Sequence, residues 1–573
     1  MGRRRATPEL LAVARGDSPA DLLLEGGRVF VPGTREWIET DLAVYDGKIA
    51  GWGRREAREV VDVSGASLTP AFVDPHMHLE STKMWVDEFV RAVLPRGTTA
   101  VAADPHEIAN VFGVKGVAAL AEAASRLPFT FGICAPSCVP ASAFESPAAA
   151  LGAGAVTELL EEHGAIAVAE MMNFPGVIAG DPEVLAKIAA AGNRRVDGHA
   201  PGLSGMRLDA YLAAGIESDH ECTELAEAEE KRRKGMWIFI REGSASRNLA
   251  ALVPTVMLHG TERITLCTDD REPDTIAFDG HLNDCVRRAV RQGVDLEDAL
   301  VLATANPAEY HGFEHLGWLA PGYQADVLCF ESFDEVEPAK VWQAGRLVAE
   351  DGRCVEGAVP AAPAPAFMRD SIHLDHVPGP AELDRPLPPG GRARVIRIEE
   401  HSLTSRQVVL DVTDPDEKVA RIAVVERHRA TGRVGRGYVQ GFGLAKGAIA
   451  STVAHDAHNC MVVGAMGPSG PAEMAAALGR LAEIGGGQVA VLDGRVLAEV
   501  PLPIGGLMSD RGLAEISTEV LQLASASGKL GITIAAPFMQ LSFLGLSVLP
   551  ELRITDLGLV DVGAWAIVEP EVV

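Results

Sequence analysis

Two histidines one residue apart, with a glutamate two residues further on, follow the apolar run Leu68 to Val73; the stretch reads VDPHMHLES and contains His76, His78 and Glu80. In an extended strand alternate side chains share a face, so His76 and His78 point the same way, with Cα atoms about 6.6 Å apart. Two imidazoles at that spacing can converge on one metal ion. A lone His-x-His is common by chance, so further ligands must come from elsewhere in the chain. Candidates stand at the ends of other short apolar runs: Asp104, His106 and Glu107 after TTAVAA, Glu170 after AIAVA, His199 after RRVDG, and His220 after GIESD. Arg241 and Glu242 close MWIFI, and Asp269 with Asp270 closes ITLCT.

Taken singly these residues carry little. A buried histidine is more often a satisfied core residue, and a strand-end aspartate more often caps the following helix. Together they match what a pair of divalent ions about 3.5–4 Å apart requires: nitrogen ligands on each ion, a carboxylate bridging both, and an open position for water. We assign His76, His78 and Asp269 to one ion and His199 and His220 to the other, with Glu170 spanning the two. Asp269 is then placed to accept a proton from the attacking water and to return it to a leaving group.

The elements that must position these groups are legible as well. From Leu68 onward short apolar strands alternate with helical patterns about eight times, as in GVKGVAALAEAASRL after TTAVAAD and ELAEAEEKRRKG after GIESDH. That is the pattern of an α/β fold built as a (β/α)8 barrel, whose chemistry gathers at the C-terminal ends of its strands. The segments around it differ. Residues 20–67 and 316–357 read as short antiparallel strands with turn signals, two distant pieces of one small discontinuous β-sandwich domain flanking a barrel over 68–315. Residues 1–19 read as a mobile or helical lead-in, 358–391 as a Pro-rich linker, and 392–573 as a separate C-terminal α/β domain.

Bulk properties narrow the function. The chain has 573 residues, room for several domains, and 47% hydrophobic residues, an ordinary globular composition. Its formal charge of −28 repels phosphate backbones, arguing against nucleic acid and for a small neutral or cationic substrate. The start MGRRRATPELLAVARG lacks the apolar core of a secretory signal. The charge-free run Leu530 to Pro550 is interrupted by Thr533, Pro537 and Gln540, so buried strands around a Pro break are expected rather than a membrane span. The eight cysteines show no zinc-finger spacing, and reduced thiols in a cytoplasm are the expectation. A homodimer is the default assembly.

The HMH pair, His199, His220, Asp269 and the closing GWLAPGYQAD resemble the amidohydrolase superfamily over roughly residues 20–350. Within it, RAVLPRGTTAVAADPHEIANVFG, DGHAPGLSG, SDHECT, IREGSASRN and LCTDDREPD resemble adenine deaminases of the bacterial type, as do QGFGLAKGAIASTVAHDAHN and EIGGGQVAVLDG in the last domain. The resemblance implies hydrolytic conversion of adenine to hypoxanthine and ammonia at a binuclear centre, with Mn2+ or Fe2+ usual and Zn2+ compatible with the same donors. Many relatives bridge their metals with a carboxylated lysine; Glu170 stands in the matching place here. Lys83 departs from the apolar residue more usual after the ES motif.

Attack at adenine C6 also needs an acid on the ring edge, for which Glu80, Glu107 and Glu242 are the candidates. His106, Arg241 and Ser244 are further candidates for ring or metal contact. In the last domain Ser451, His455, Asp456, His458 and Asn459 form a polar cluster that could act as a lid, hold an accessory metal, or serve only structure. The rival readings are another amidohydrolase acting on a cyclic amide or N-acyl group, and a metal-binding scaffold without catalysis. Other signatures fail: Cys134 and Cys138 lack the spacing of the zinc deaminase motif, and Asn110 stands where H-E-x-x-H needs its second histidine.

Overall fold

A computed structural model describes residues 7–399 and 404–572. Of the lead-in, residues 1–6 lie outside the described part, and Pro8–Arg15 is a helix. Thr7 caps it by accepting from the Leu10 N–H, and Gly16 ends it in the left-handed conformation.

The centre of the molecule is a closed ring of parallel strands: Phe72–Met77 (β1), Thr98–Ala103 (β2), Thr130–Ile133 (β3), Ala167–Met171 (β4), Arg195–Gly198 (β5), Ser218–Asp219 (β6), Trp237–Arg241 (β7) and Ile264–Cys267 (β8). Parallel ladders join β1 to β2, β2 to β3, β4 to β5, β6 to β7 and β7 to β8. A bridge between Ala135 and Val168 carries β3 onto β4, and the Glu217 N–H donates to Val196 O (3.0 Å) to carry β5 onto β6. The ring closes where Asp269, two residues past β8, bridges Met77 of β1. Every residue of β1, β2, β4, β7 and β8 is buried. Helices cover the ring outside and side chains fill it inside, so these strands are buried on both faces and are mostly apolar, with polar residues set toward their C-terminal ends.

The small β domain is assembled from both ends of this region. One sheet has Lys48–Trp52, Leu42–Tyr45, Ala20–Glu25 and Ala57–Asp62 in that order. The other runs from Arg353–Cys354 through Val327–Phe330, Ser67–Pro70 and Arg28–Val31 to Glu36–Glu39. Leu24, Val29, Leu42, Leu68, Val327 and Trp342 pack between them. Ser67–Pro70 therefore belongs to this domain, three residues beyond the boundary expected at 67, and the run Leu68 to Val73 is two strands rather than one. The Ala71 N–H donates to Asp326 O (3.1 Å), in register with the antiparallel ladder to Val327–Phe330, before the chain enters β1.

Residues 358–391, expected as a linker, pack as a strap. Trp85 Nε1–H donates to Ala362 O (2.7 Å), the Ala362 N–H donates to Asp87 Oδ2 (3.1 Å), and Met368 is buried. The last domain is built on an eight-stranded sheet, Ser405–Asp411, Arg392–Ile398, Val434–Gln440, Val419–Val425, Cys460–Ala465, Ala448–Ser451, Gly487–Leu492 and Arg495–Pro501, nearly all antiparallel. Helices Gly470–Glu483 and Leu513–Lys529 pack with it. The run Leu530 to Pro550 carries the helix Pro537–Phe543 instead of the expected strands. Pro537 is its first residue, where a missing N–H costs nothing, so this proline starts a helix rather than breaking a strand. Among the described residues no helix is long and apolar enough to cross a membrane, and all eight cysteines are free.

Candidate metal centre

The C-terminal ends of the ring strands deliver their polar side chains to one point. His76 lies within β1 and His78 just past it; the His78 Nδ1–H donates to Asp104 O (3.0 Å), since a carbonyl can only accept. That bond leaves His78 Nε2 with its lone pair facing Asp269 Oδ1 (3.1 Å) and Glu170 Oε1 (3.4 Å). His76 Nε2 lies 3.7 Å from Asp269 Oδ1, and its ring stacks on that of His220 at 4.0 Å. Glu170, in β4, turns its other oxygen to His199 Nδ1 (2.6 Å) and His220 Nε2 (3.3 Å). One carboxylate thus faces His78 with Oε1, and His199 and His220 with Oε2.

A cation fits this donor set better than hydrogen bonding among its members does. The His76 Nε2 atom is buried without any hydrogen-bond partner, a cost that a metal bond removes. Burial holds the His76 imidazole well below its usual pKa, with His220 adding to the effect, which keeps it in the neutral form that can donate a lone pair. Burial alone would raise the Glu170 and Asp269 carboxyls. The imidazoles of His199 and His220 outweigh it at Glu170, and the Arg241 guanidinium outweighs it at Asp269, so both stay ionised. His76, His78 and Asp269 bring donor atoms within 4.8 Å of one another, as do His76, Glu170 and His220.

The other expected residues divide. A cleft is lined by His106, Glu107, Arg241, His455 and Asp456 together with His78, Glu170, His199, His220 and Asp269. Arg241 grips Asp269 through Nη1 and binds Glu221 Oε2 (2.9 Å) and Ser246 Oγ (2.7 Å) through Nη2. Glu107 is fully buried in the first turn of the helix His106–Ala124, where a negative charge suits the helix dipole. Its Oε1 lies 3.1 Å from His455 Nδ1, and its Oε2 3.9 Å from His458 Nε2.

Glu80, Glu242, Ser244 and His458, all expected at the site, lie outside the lining of the cleft. Glu80 does not line the cleft; its Oε1 accepts from the Ile108 N–H (3.0 Å), and burial followed by the charge of Glu107 raises it to about 7. Glu242 points away toward Arg288, 3.7 Å distant. The Ser244 hydroxyl is spent on Thr275 Oγ1 (2.7 Å) and on the Glu272 N–H (2.8 Å). His458 lies behind Glu107, outside the lining of the cleft, with Nδ1 accepting from the Ala454 N–H (3.1 Å). Ser451 closes a local turn by donating to Val453 O, and Asn459 Oδ1 accepts from the Arg427 N–H.

Two groups escaped the sequence reading. Glu221 lies 3.6 Å from His220 Nε2 and 3.8 Å from His199 Nδ1, so its carboxylate reaches the second histidine pair; its place directly after His220 was the available signal. Phe543, Leu546 and Leu549 line the cleft from the last domain, and nothing in their local pattern points there.

An amidohydrolase family model matches residues 67–348, and a model of the adenine deaminase C-terminal domain matches residues 396–565. Adenine deaminase 2 of Carboxydothermus hydrogenoformans is 42% identical over 98% of both chains. The adenine deaminase of Desulfatibacillum aliphaticivorans is 44% identical over 97% of this chain and 98% of its own, and that of Archaeoglobus fulgidus 42% identical over 98% and 97%. Histidines and carboxylates converging at the strand ends, and similarity along nearly the whole chain, lead to one conclusion: the protein belongs to the adenine deaminase family of amidohydrolases.

Proposed function

We propose that this chain is a metal-dependent hydrolase that converts adenine to hypoxanthine and ammonia, on a (β/α)8 barrel of the amidohydrolase type carrying a small discontinuous β domain and a C-terminal α/β domain. The observation that carries the reading is Glu170, whose two oxygens face His78 on one side and His199 with His220 on the other. His76, His78 and Asp269 would hold one divalent ion and His199 and His220 the second, with Glu170 between them. Mn2+ and Fe2+ suit these nitrogen and oxygen donors, as does Zn2+. Divalent cations in such a site make a water molecule acidic enough to attack at neutral pH.

The chain's own residues supply the rest. Asp269, ionised and gripped by Arg241, takes the proton released as water adds to adenine C6. It then delivers a proton to the departing amino nitrogen. Addition at C6 places electron density on the ring nitrogens, which a group on the ring edge must meet. Of the three acids considered for that edge, Glu107 lines the cleft, whereas Glu80 and Glu242 do not. His106 lies beside Glu107 on the same wall, and Arg241 orients Asp269 and Glu221 together.

The test is release of ammonia from adenine by the purified, metal-supplemented protein, with hypoxanthine measured alongside. Activity should disappear on chelation and return on adding Mn2+ or Fe2+. A fully metallated protein inert toward adenine yet active on a cyclic amide would end this proposal.

A further inference from the structure

We propose that the C-terminal domain supplies the base-recognition half of the site: Phe543 with Leu546 and Leu549 forms the apolar wall against which the purine ring lies, and His455 is the positioning residue for Glu107. The inference rests on the adenine reading above and extends it to residues outside the barrel.

The cleft is lopsided in its chemistry. Its barrel side is made of imidazoles, carboxylates and a guanidinium, with Met172 the one aliphatic side chain lining it from the barrel among the described residues. Such a surface can hold ions and move protons, but it offers little to the flat apolar faces of a heteroaromatic ring. The opposite side, contributed by the helix Pro537–Phe543 and the turn after it, is apolar. Phe543 and Leu546 are buried there with Met539, and Ala141, Ala245 and Leu549 pack against them. The Phe543 ring stacks on His455 with centroids 4.5 Å apart and planes 19° from parallel. No base can enter a gap that narrow. The two rings act as one aromatic block, and a planar ligand above the metal ligands lies against it.

The wall is formed in advance, not by closure over a ligand. The Ser547 and Ser142 hydroxyls meet at 2.6 Å, tying the turn to the loop that follows β3. The His455 N–H donates to Ser542 O (3.1 Å), and a side chain at Gly545 would place its Cβ 2.9 Å from His455 O. Glycine at 545 therefore permits the close approach that sets His455 beside Phe543. From there His455 Nδ1 reaches Glu107 Oε1 at 3.1 Å. Glu107 is fully buried with no conventional hydrogen bond to either oxygen, so His455 is what aims that carboxylate at the ring edge.

The experiment uses the full-length, metal-loaded enzyme with Phe543→Ala, Phe543→Leu and His455→Gln, comparing adenine with 4-aminopyrimidine, which keeps the reacting ring and lacks the fused imidazole. Stacking of a base on an aromatic wall predicts that Phe543→Ala raises KM for adenine about tenfold or more and lowers the adenine preference by a similar factor, with Phe543→Leu between. Metal content should match wild type in all three variants, and His455→Gln, which removes the imidazole paired with Glu107, should lower kcat/KM about 10–100-fold, as loss of a supporting outer partner does. Unchanged KM and unchanged adenine preference in both Phe543 variants, while the wild type deaminates adenine, would overturn the wall and leave the reaction intact. Loss of metal in His455→Gln would overturn its positioning role, and a wild type inert toward adenine would overturn both readings.

Discussion

Asp269 is held at φ +53°, a left-handed conformation that costs a non-glycine residue about 1–3 kcal/mol. What it obtains there is a double anchor to β1: its N–H donates to His76 O (3.1 Å), and its carbonyl accepts from the His78 N–H (3.4 Å). The backbone that closes the ring of strands therefore also sets Asp269 between the two histidines of the first pair. Glu170 stands opposite, and replacing it by glutamine removes the charge facing the four imidazoles of His78, His106, His199 and His220 while keeping the shape. Because loss of a mere supporting partner costs 10–100-fold in metal affinity or activity, Glu170→Gln should lose metal and turnover by about 100-fold or more; metal analysis and ammonia release check this. At this scale the histidines were readable because their spacing matches a strand and their residue types match a ligand set. Ser244 was misplaced because a hydroxyl's partner across a turn leaves no mark in the sequence.

Lys231 shows how the elements hold the site. It lies in the helix Leu225–Arg233 that follows β6, is fully buried, and donates to Asp219 Oδ2 (2.8 Å), Glu227 Oε1 (2.6 Å) and Ala200 O (2.6 Å). Asp219 Oδ1 in turn accepts from the Ala200 N–H (2.8 Å). One buried ion pair thereby locks the ends of β5 and β6, the strands that present His199 and His220. Lys231→Met leaves Asp219 charged and unpaired in the interior, at a cost of about 3–5 kcal/mol. The expected outcome is a lower melting temperature and weaker metal retention, read by calorimetry and by metal content after dialysis; an unchanged melt would refute this role. Elements were readable where continuous apolar runs are bounded by turns. Leu530 to Pro550 was not, since an apolar run without periodicity fits a buried strand and a buried helix equally.

At the scale of the whole molecule, the strand ends and the C-terminal domain both contribute to the lining of the cleft. Within the C-terminal part, Arg427 ties the strap to the last domain without a carboxylate partner: Nη1 donates to Ser371 O (2.8 Å), Nη2 to Gly505 O (2.8 Å), and Nε to His458 O. Burial alone lowers this guanidinium to about 10. It pins the strap, the Gly505 turn and the His455–His458 turn together, so Arg427→Leu leaves three carbonyls without donors, each costing about 1–3 kcal/mol. The variant should melt earlier and bind adenine more weakly through a loosened His455; thermal melts with steady-state KM values check both, and an unchanged KM would separate the strap from the cleft.

Residue types in order along the chain were enough to single out the alternation of strands and helices and six side chains that the structure brings together at the strand ends, because strand periodicity and ligand chemistry are local properties. Which carboxylate reaches the cleft was not local. Glu80, Glu107 and Glu242 are equivalent as letters, and only the packing of the helix His106–Ala124 under the His455 turn brings Glu107 forward. The same holds for Phe543, more than 270 residues from Asp269 in sequence, whose place on the cleft wall depends on long-range domain packing that no spacing rule records.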